Sequence, residues 1–113
     1  MWSDCVEPAL ASFFNVLKQG GILALEEHRG DPNQPQDPQA KTLYVREDYI
    51  VDAITGCGFE LLAASEINAN PKDTKDHPKG ALSLPPNFWG VDDRAPYEAI
   101  GESDRMLLKF CKP

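Results

Sequence analysis

Four charged or titratable residues follow directly after an apolar run. Glu26, Glu27, His28 and Arg29 come after Ile22–Leu25. In open α/β sheets, ligands bind outside the carboxyl ends of the strands, so catalytic side chains are expected at this point. The imidazole of His28, with an ordinary pKa of about 6.5, could accept a proton from a substrate, and the Glu27 carboxylate could orient one. Alternatively, these charges only mark where the strand reaches water.

Two asparagines follow a second apolar stretch, Phe59–Ala64. The side-chain amides of Asn68 and Asn70 could donate hydrogen bonds to a substrate at the end of that strand. Turn formation before Pro71 explains Asn70 equally well.

Two aromatic residues stand beside a stiff proline pair in the segment 84–90. Phe88 and Trp89 could belong to a lid that closes over a substrate and excludes water, with Trp89 contacting the substrate. A loop that packs both rings against the edge of the sheet has the same sequence, and we favour this packing interpretation.

The sequence gives little support for a metal site. His77 lies with Asp73 and Asp76 in a charge-rich segment that is typical of a solvated loop, without ligand spacing. The three cysteines are Cys5, Cys57 and Cys111, and they form no C-x-x-C pair. We interpret the last two as buried small hydrophobic residues.

The segment 3–28 is predicted to form a helix followed by a strand. A helix-spaced apolar stripe precedes the glycine pair Gly20–Gly21, which is expected to end the helix. Ser3 or Asp4 could cap its start. The run Ile22–Leu25 is apolar at successive positions, which predicts a parallel strand buried on both faces. The stripe consists of Val6, Ala9, Leu10, Phe13, Val16 and Leu17.

The same order repeats once and a final strand follows. A helix carrying Ile50, Ala53, Ile54 and Cys57 begins near Glu47 or Asp48 and ends at Gly56 and Gly58, and it leads into the strand Phe59–Ala64. The last strand is predicted at 105–111. The segments 29–45 and 67–102 are proline-rich and are predicted to be long loops.

This predicted order is that of an incomplete sheet. Helix, strand, helix, strand, long loop and strand give too few helices to cover both faces of a parallel sheet. We therefore predict that residues 1–113 form a single partial domain of the α/β class.

Composition excludes several classes of protein. The formal net charge is −7, from 11 Lys and Arg against 18 Asp and Glu, which argues against a nucleic-acid binder. The run Ile22–Leu25 is far shorter than the roughly 20 apolar residues of a membrane span. The residues after Met1 lack the basic and apolar regions of a signal peptide. The expectation is a soluble cytoplasmic protein that does not act at a membrane.

Several short motifs resemble one enzyme family. The segment 17–21, Leu-Lys-Gln-Gly-Gly, resembles the L-K-P-G-G turn before the fifth strand of class I S-adenosylmethionine-dependent methyltransferases. The segment 56–59 resembles the A-G-F turn before the sixth strand, and 104–110 resembles the antiparallel last strand. Three further segments, 27–29, 44–46 and 68–73, resemble a bacterial group described as predicted methyltransferases.

The resemblance implies the C-terminal half of a Rossmann-like methyltransferase sheet. It implies S-adenosylmethionine as the cofactor of the intact domain and a small-molecule methyl acceptor as substrate. His28 and Glu27 would be the catalytic residues, and Arg29, Asn68 and Trp89 would bind the substrate. The family's G-x-G-x-G cofactor loop is missing, so no residue is assigned to the cofactor or to a metal, and we expect the isolated chain to be inactive.

A second hypothesis belongs to a different class of function. An exposed face at Ile22–Leu25 would be an apolar surface that requires a partner. The chain would then be a non-enzymatic interaction module, or a split-enzyme subunit that needs a partner half, or a homodimer. A small Cys or His hydrolase lacks a nucleophile motif and is set aside.

Overall fold

The computed structural model describes residues 6–37 and 39–113. Its elements are α1 (Val6–Val16), β1 (Ile22–His28), α2 (Glu47–Gly56), β2 (Glu60–Ser65), a 3-10 helix (Gly80–Ser83), α3 (Ala95–Ile100) and β3 (Arg105–Cys111). The predicted helix–strand–helix–strand–strand order is thus observed. The proposed helix caps Ser3 and Asp4, and Cys5, lie outside the described residues.

The three strands form one sheet in the order β1-β3-β2. β3 pairs with both neighbours in antiparallel orientation, so β1 and β2 run parallel to each other on either side of it. The prediction that Ile22–Leu25 pairs with a parallel neighbour is wrong. Within the described chain, β1 pairs only with β3, and that pair is antiparallel. The fold is a small mixed α/β domain.

The core covers one face of this sheet. Leu23 and Leu25 of β1 stand opposite Phe110 and Leu108 of β3, and this inner face packs against the two longer helices. The buried core residues are Leu10, Ala40, Val45, Ile50, Ile54, Phe59, Met106, Leu108 and Phe110.

The outer face of the sheet is open within the described chain. Burial along β1 alternates, and the side chain of Ile22 is 47% exposed. The prediction that Ile22–Leu25 is buried on both faces is therefore wrong. The reason is that α1 and α2 both pack on the inner face. The apolar stripe of α1 is also displaced, because Leu10 is buried while Phe13 and Val16 are exposed.

Both cysteines in the described part of the chain are more accessible than predicted. Cys57 and Cys111 are free thiols that are only partly buried. Cys57 is the residue directly after α2, and Cys111 is the last residue of β3. Both therefore stand at the margin of the core.

The segment 67–102 is not a loop throughout, because it contains the 3-10 helix and α3. It is joined to the segment 29–45 by a close backbone approach. Ala81 N–H donates to the carbonyl of Thr42 over 3.0 Å, and a Cβ on Gly80 would lie 2.1 Å from that same oxygen. Only glycine fits here, also because Gly80 has φ +58°.

The segment 29–45 returns to the end of β1. Val45 N–H donates to the carbonyl of His28 over 2.9 Å, and Gly30 N–H donates to the carbonyl of Val45 over 2.7 Å. These bonds fix the two long segments against the carboxyl end of β1.

Candidate functional site

Strand direction determines where the site forms. β1 and β2 are parallel, so their carboxyl ends meet at one end of the sheet, and antiparallel β3 begins there. Residues after β1, after β2 and before β3 therefore converge. A cluster of hydrogen-bonded and ion-paired side chains occupies this point, which we call the strand-end network. Its members are Arg29, Tyr44, Asn70, Asp73, Lys75, His77 and Asp104.

Arg29, predicted from the sequence to bind substrate, lies at the centre of these ion pairs. Its Nε and Nη2 donate to the two carboxylate oxygens of Asp104, each over 3.0 Å. Its Nη1 and Nη2 donate to Glu66 over 3.0 and 2.6 Å, and Nη1 also lies 3.6 Å from Oε1 of Glu47. The hydrogen bonds that Arg29 donates to Glu66 and then to Asp104 raise the pKa of Arg29. The contacts of Arg29 therefore tie β1 to the residues after β2 and before β3.

Asp104 collects cationic and backbone donors. Besides Arg29, Lys75 Nζ lies 3.0 Å from its Oδ2, and Asn70 N–H donates to its Oδ1 over 2.8 Å. Burial alone raises the pKa of this carboxyl, but the hydrogen bonds from Arg29, Asn70 and Lys75 outweigh burial and lower it to about 2. Asp104 is therefore an anion at neutral pH.

Asp73 is the most enclosed carboxylate of the network. Tyr44 Oη donates to it over 2.8 and 3.0 Å, and the backbone N–H groups of Lys75 and Asp104 donate over 2.9 Å each. His77 Nε2 lies 2.8 Å from its Oδ1. This segment is a largely exposed loop, as predicted, but the Asp73 and His77 side chains are buried within it, at 0% and 4% exposure. Four donors offset the cost of desolvating a buried carboxylate.

Tyr44 acts as a donor in this cluster. Burial and the neighbouring Asp73 raise the pKa of Tyr44, so its phenol keeps its proton. Its ring also meets the ring of His28 edge-on, with centroids 6.3 Å apart. Tyr44 thus connects the buried carboxylate to the predicted catalytic histidine.

His28 borders the network with one nitrogen engaged. Its Nδ1 lies 2.5 Å from Ser103 Oγ, and His28 stands opposite Arg105 in the β1–β3 register. Burial and then the nearby Arg105 charge lower the pKa of His28, while Asp73 and Glu26 act in the opposite direction. The imidazole is therefore neutral at pH 7.

Glu27, the second predicted catalytic residue, projects to the other face of β1. Adjacent residues of a strand alternate between faces, so Glu27 lies on the inner side with Leu23 and Leu25. Burial raises the pKa of its carboxyl, although a hydrogen bond from the His28 backbone N–H works against this. Glu27 and His28 are thus adjacent in sequence but do not face one common space.

The predicted amide ligands already have partners. The side-chain amide of Asn68 donates to Glu26. Asn70 Nδ2 donates to the carbonyls of Ile100 and Glu102 over 2.7 Å each, and its Oδ1 accepts the N–H of Lys72. Asn70 therefore makes the predicted turn and also anchors the chain before β3.

The aromatic pair lies apart from these contacts. Trp89 is 55% exposed, and its backbone is held by Leu82 and Ser83. Phe88 is partly buried and carries the Arg94 guanidinium 4.9 Å above its ring. The structure does not bring Trp89 together with the predicted residues of β1.

Sequence reasoning weighed four members of the network, Arg29, Asn70, Asp73 and His77, but gave no role to Tyr44, Lys75 or Asp104. Asp104 could have been found, because a residue just before an antiparallel strand must lie beside the ends of its neighbours. Tyr44 lies in a segment noted only for its resemblance, and no periodic pattern marks it or Lys75.

Two open spaces of the described chain could take a ligand, one on the sheet and one beside the network. The outer face of the sheet holds an apolar groove of about 380 Å³, lined by Ile22, Ala24, Ala63, Ala64, Ser65, Leu107, Leu108 and Lys109. A polar pocket of about 230 Å³ lies beside the network, where Lys75 meets residues of the 29–45 segment, Tyr44 among them, and Arg46. The polar pocket offers donors, acceptors and charges of both signs to a small polar ligand.

The described residues contain no group of three or more His, Cys, Asp or Glu side chains placed to hold a metal ion. They also do not fit S-adenosylmethionine by themselves. The glycines occur singly or in one adjacent pair, with no G-x-G-x-G spacing. Those at 20, 58, 90 and 101 have positive φ angles outside the helices and strands, and Gly80, also with positive φ, begins the 3-10 helix.

In the part of the chain that the structure describes, no helix has the length and apolar character needed to cross a membrane. Comparison of the chain with protein-family models, with curated proteins and with solved structures gives no match.

Proposed function

We propose that the chain is the acceptor-side portion of an S-adenosylmethionine-dependent methyltransferase whose cofactor loop lies outside these residues. The observation that carries this proposal is the direction of the strands. The last strand runs antiparallel to two earlier strands that are parallel to each other, and His28 ends the first of them. The sequence resemblance implies an antiparallel last strand at this place.

The side chains at the strand ends support a positioning role. The bonds among Arg29, Asp73 and Asp104 hold the two long segments against the sheet, and His28 borders them with a neutral imidazole. Holding a small methyl acceptor in a fixed orientation is a large part of catalysis in group transfer. The cofactor loop is not among the described residues, so no step of methyl transfer is derived from this chain alone.

Cofactor binding tests the proposal. We expect calorimetry to detect no binding of S-adenosylmethionine to the 113-residue chain. We expect binding once the chain is produced together with the adjoining coding sequence, and that sequence should encode a G-x-G-x-G loop. Absence of such a loop in the same or a neighbouring reading frame, together with no binding, would overturn the proposal.

Turnover then tests His28 in the cofactor-binding protein. We expect His28→Ala to lower kcat/KM about 100-fold, the scale for loss of a positioned polar catalytic group. His77→Ala is not a suitable control, because His77 supports Asp73. Trp89→Ala tests the predicted substrate contact separately, and unchanged KM in that variant would end its candidacy.

A second candidate function is an interaction module, which the open outer face of the sheet favours. Ile22 is 47% exposed and lies with Ala24, Ala63 and Leu107 along the apolar groove of this face, a concentration of apolar surface typical of protein interfaces. Under this function, sedimentation velocity would show self-association without cofactor. Ile22→Glu would abolish the association and Val16→Glu on α1 would not. A monomer at all concentrations would exclude the homodimer.

A further inference from the structure

The contact between Ser103 and His28 determines which imidazole nitrogen carries the proton. Ser103 is buried and its Oγ lies 2.5 Å from His28 Nδ1. Arg105 Nε donates to the same oxygen over 3.4 Å. The hydroxyl therefore already accepts one hydrogen bond, and its own proton needs an acceptor.

That proton has one acceptor within the described chain. A serine hydroxyl carries a single proton, and His28 Nδ1 is the only acceptor in hydrogen-bond range of Ser103 Oγ among residues 6–37 and 39–113. If Nδ1 carried the proton instead, the hydroxyl proton would be buried without a partner, which is costly. The hydroxyl proton therefore points at Nδ1, and Nδ1 carries none.

The second ring nitrogen of His28, Nε2, has no hydrogen-bond partner within the described chain. His28 Nε2 forms no hydrogen bond with the described residues, and no side-chain nitrogen or oxygen among those residues is both buried and unpaired. Nε2 is therefore reached by solvent or by a ligand.

We propose that Ser103 is a positioning residue that holds neutral His28 with its proton on Nε2, so that the accessible nitrogen is a hydrogen-bond donor. This changes the expected chemistry of His28. A protonated Nε2 does not accept a proton, so in the proposed methyltransferase His28 binds an oxygen of the acceptor molecule rather than acting as its base. That last consequence rests on the proposed function, whereas the position of the proton does not.

The charges around His28 are of both signs. Arg105 stands opposite His28 across β1 and β3 and lowers the pKa of the imidazole, while Asp73 and Glu26 act in the opposite direction. The guanidinium of Arg105 is itself ion-paired, with Glu102 at 3.1 Å and Glu26 at 3.8 Å. The class of ligand that an imidazole N–H takes here is therefore an oxygen acceptor, such as a carbonyl, hydroxyl or carboxylate oxygen.

Nitrogen-15 NMR of the labelled chain at pH 7.5 tests the proposal without any assay of activity. Long-range proton–nitrogen spectra distinguish a protonated ring nitrogen from an unprotonated one. The chain has two histidines, so comparison with His28→Gln assigns the signals. We expect the His28 Nδ1 shift of an unprotonated nitrogen and the Nε2 shift of a protonated one. The opposite pattern in the unmodified chain would overturn the proposal, whatever the variants do.

Two variants identify Ser103 as the cause. Ser103→Ala should move the Nδ1 and Nε2 shifts of His28 toward the average of two exchanging tautomers, and Ser103→Thr, which keeps the hydroxyl, should restore them. The His77 signals should stay unchanged in both, because His77 is fixed by Asp73. If Ser103→Ala folds and leaves the His28 shifts unchanged, Ser103 does not set the tautomer.

Discussion

Asp73 and Asp104 are joined through one hydrogen bond, in which the backbone N–H of Asp104 donates to Asp73 Oδ2 over 2.9 Å. The two aspartates are separated by 31 residues, and each also binds Lys75, Asp104 through Nζ and Asp73 through the backbone N–H. The placement of each therefore depends on the other, and Arg29 connects Asp104 to the end of β1. This connection makes the strand-end network testable one residue at a time.

Replacing the Asp104 carboxylate should destabilise the fold. Asp104→Asn keeps the size of the side chain but leaves Arg29 and Lys75 without their shared anion, at a side chain only 9% exposed. We expect a loss of about 3 kcal/mol in the free energy of unfolding, measured in urea, since an uncompensated charge remains in a partly buried place. Asp92→Asn, at an exposed aspartate, should change it by less than about 0.5 kcal/mol.

The Asp104 carboxylate should make the free energy of unfolding depend on pH in the acid range. Its folded pKa of about 2 lies below the ordinary value of 3.8, so between these values the unfolded chain binds a proton that the folded chain does not. The stabilisation is complete above about pH 5 and is lost as pH falls toward 2, by about 2 kcal/mol. Urea unfolding of the unmodified chain and of Asp104→Asn at several pH values checks this. Equal pH dependence of unfolding in the two proteins would contradict this prediction, because every carboxylate except Asp104 is present in both.

Removing the Tyr44 hydroxyl should weaken the network at Asp73. Tyr44→Phe keeps the ring beside His28 but removes the donor to a fully buried carboxylate. We expect a loss of about 2 kcal/mol in thermal or urea unfolding, the scale for a hydrogen bond to a charged group. Tyr97→Phe is the matched control. The ring of Tyr97 packs edge-on against His77, while its hydroxyl forms no hydrogen bond with the described residues. An equal loss in both variants would mean that the bond to Asp73 adds nothing specific.

Lys112 should hold α1 to the end of β3. Its Nζ donates to the carbonyls of Phe14 and Leu17 over 2.7 and 2.9 Å and lies 4.4 Å above the Phe14 ring. Lysine near a helix C-terminus satisfies free carbonyls and interacts favourably with the helix dipole. Lys112→Met should therefore lower the free energy of unfolding by about 1 to 2 kcal/mol.

The control for Lys112 is Lys18→Met, at an exposed lysine close to the same helix end. Hydrogen exchange adds a local measurement. Amides of α1 should exchange faster in Lys112→Met than in Lys18→Met, while those of α2 should differ little. Uniform acceleration through the whole chain would show that Lys112 acts on global stability rather than on α1.

The sequence by itself determined the order of the two longer helices and the three strands, but not α3 and the 3-10 helix within 67–102. The final strand was predicted at 105–111, where β3 lies, and α2 begins at Glu47 as its acidic first turn indicated. These predictions succeed because apolar periodicity and glycine stops are local properties, and local backbone preferences fix where an element begins and ends. The polar run 26–29 was predicted to follow the first strand, but β1 continues through His28 and only Arg29 lies beyond it.

Only the tertiary structure decided which residues meet there. The Ile22–Leu25 run was consistent with burial on both faces, but whether a second face is covered depends on elements distant in sequence. His77 and Asp73 looked solvated because their neighbours are charged, yet Tyr44 and the chain before β3 enclose them. Long-range contacts of this kind leave no periodic signal, because each partner needs only the right donor or acceptor at one position.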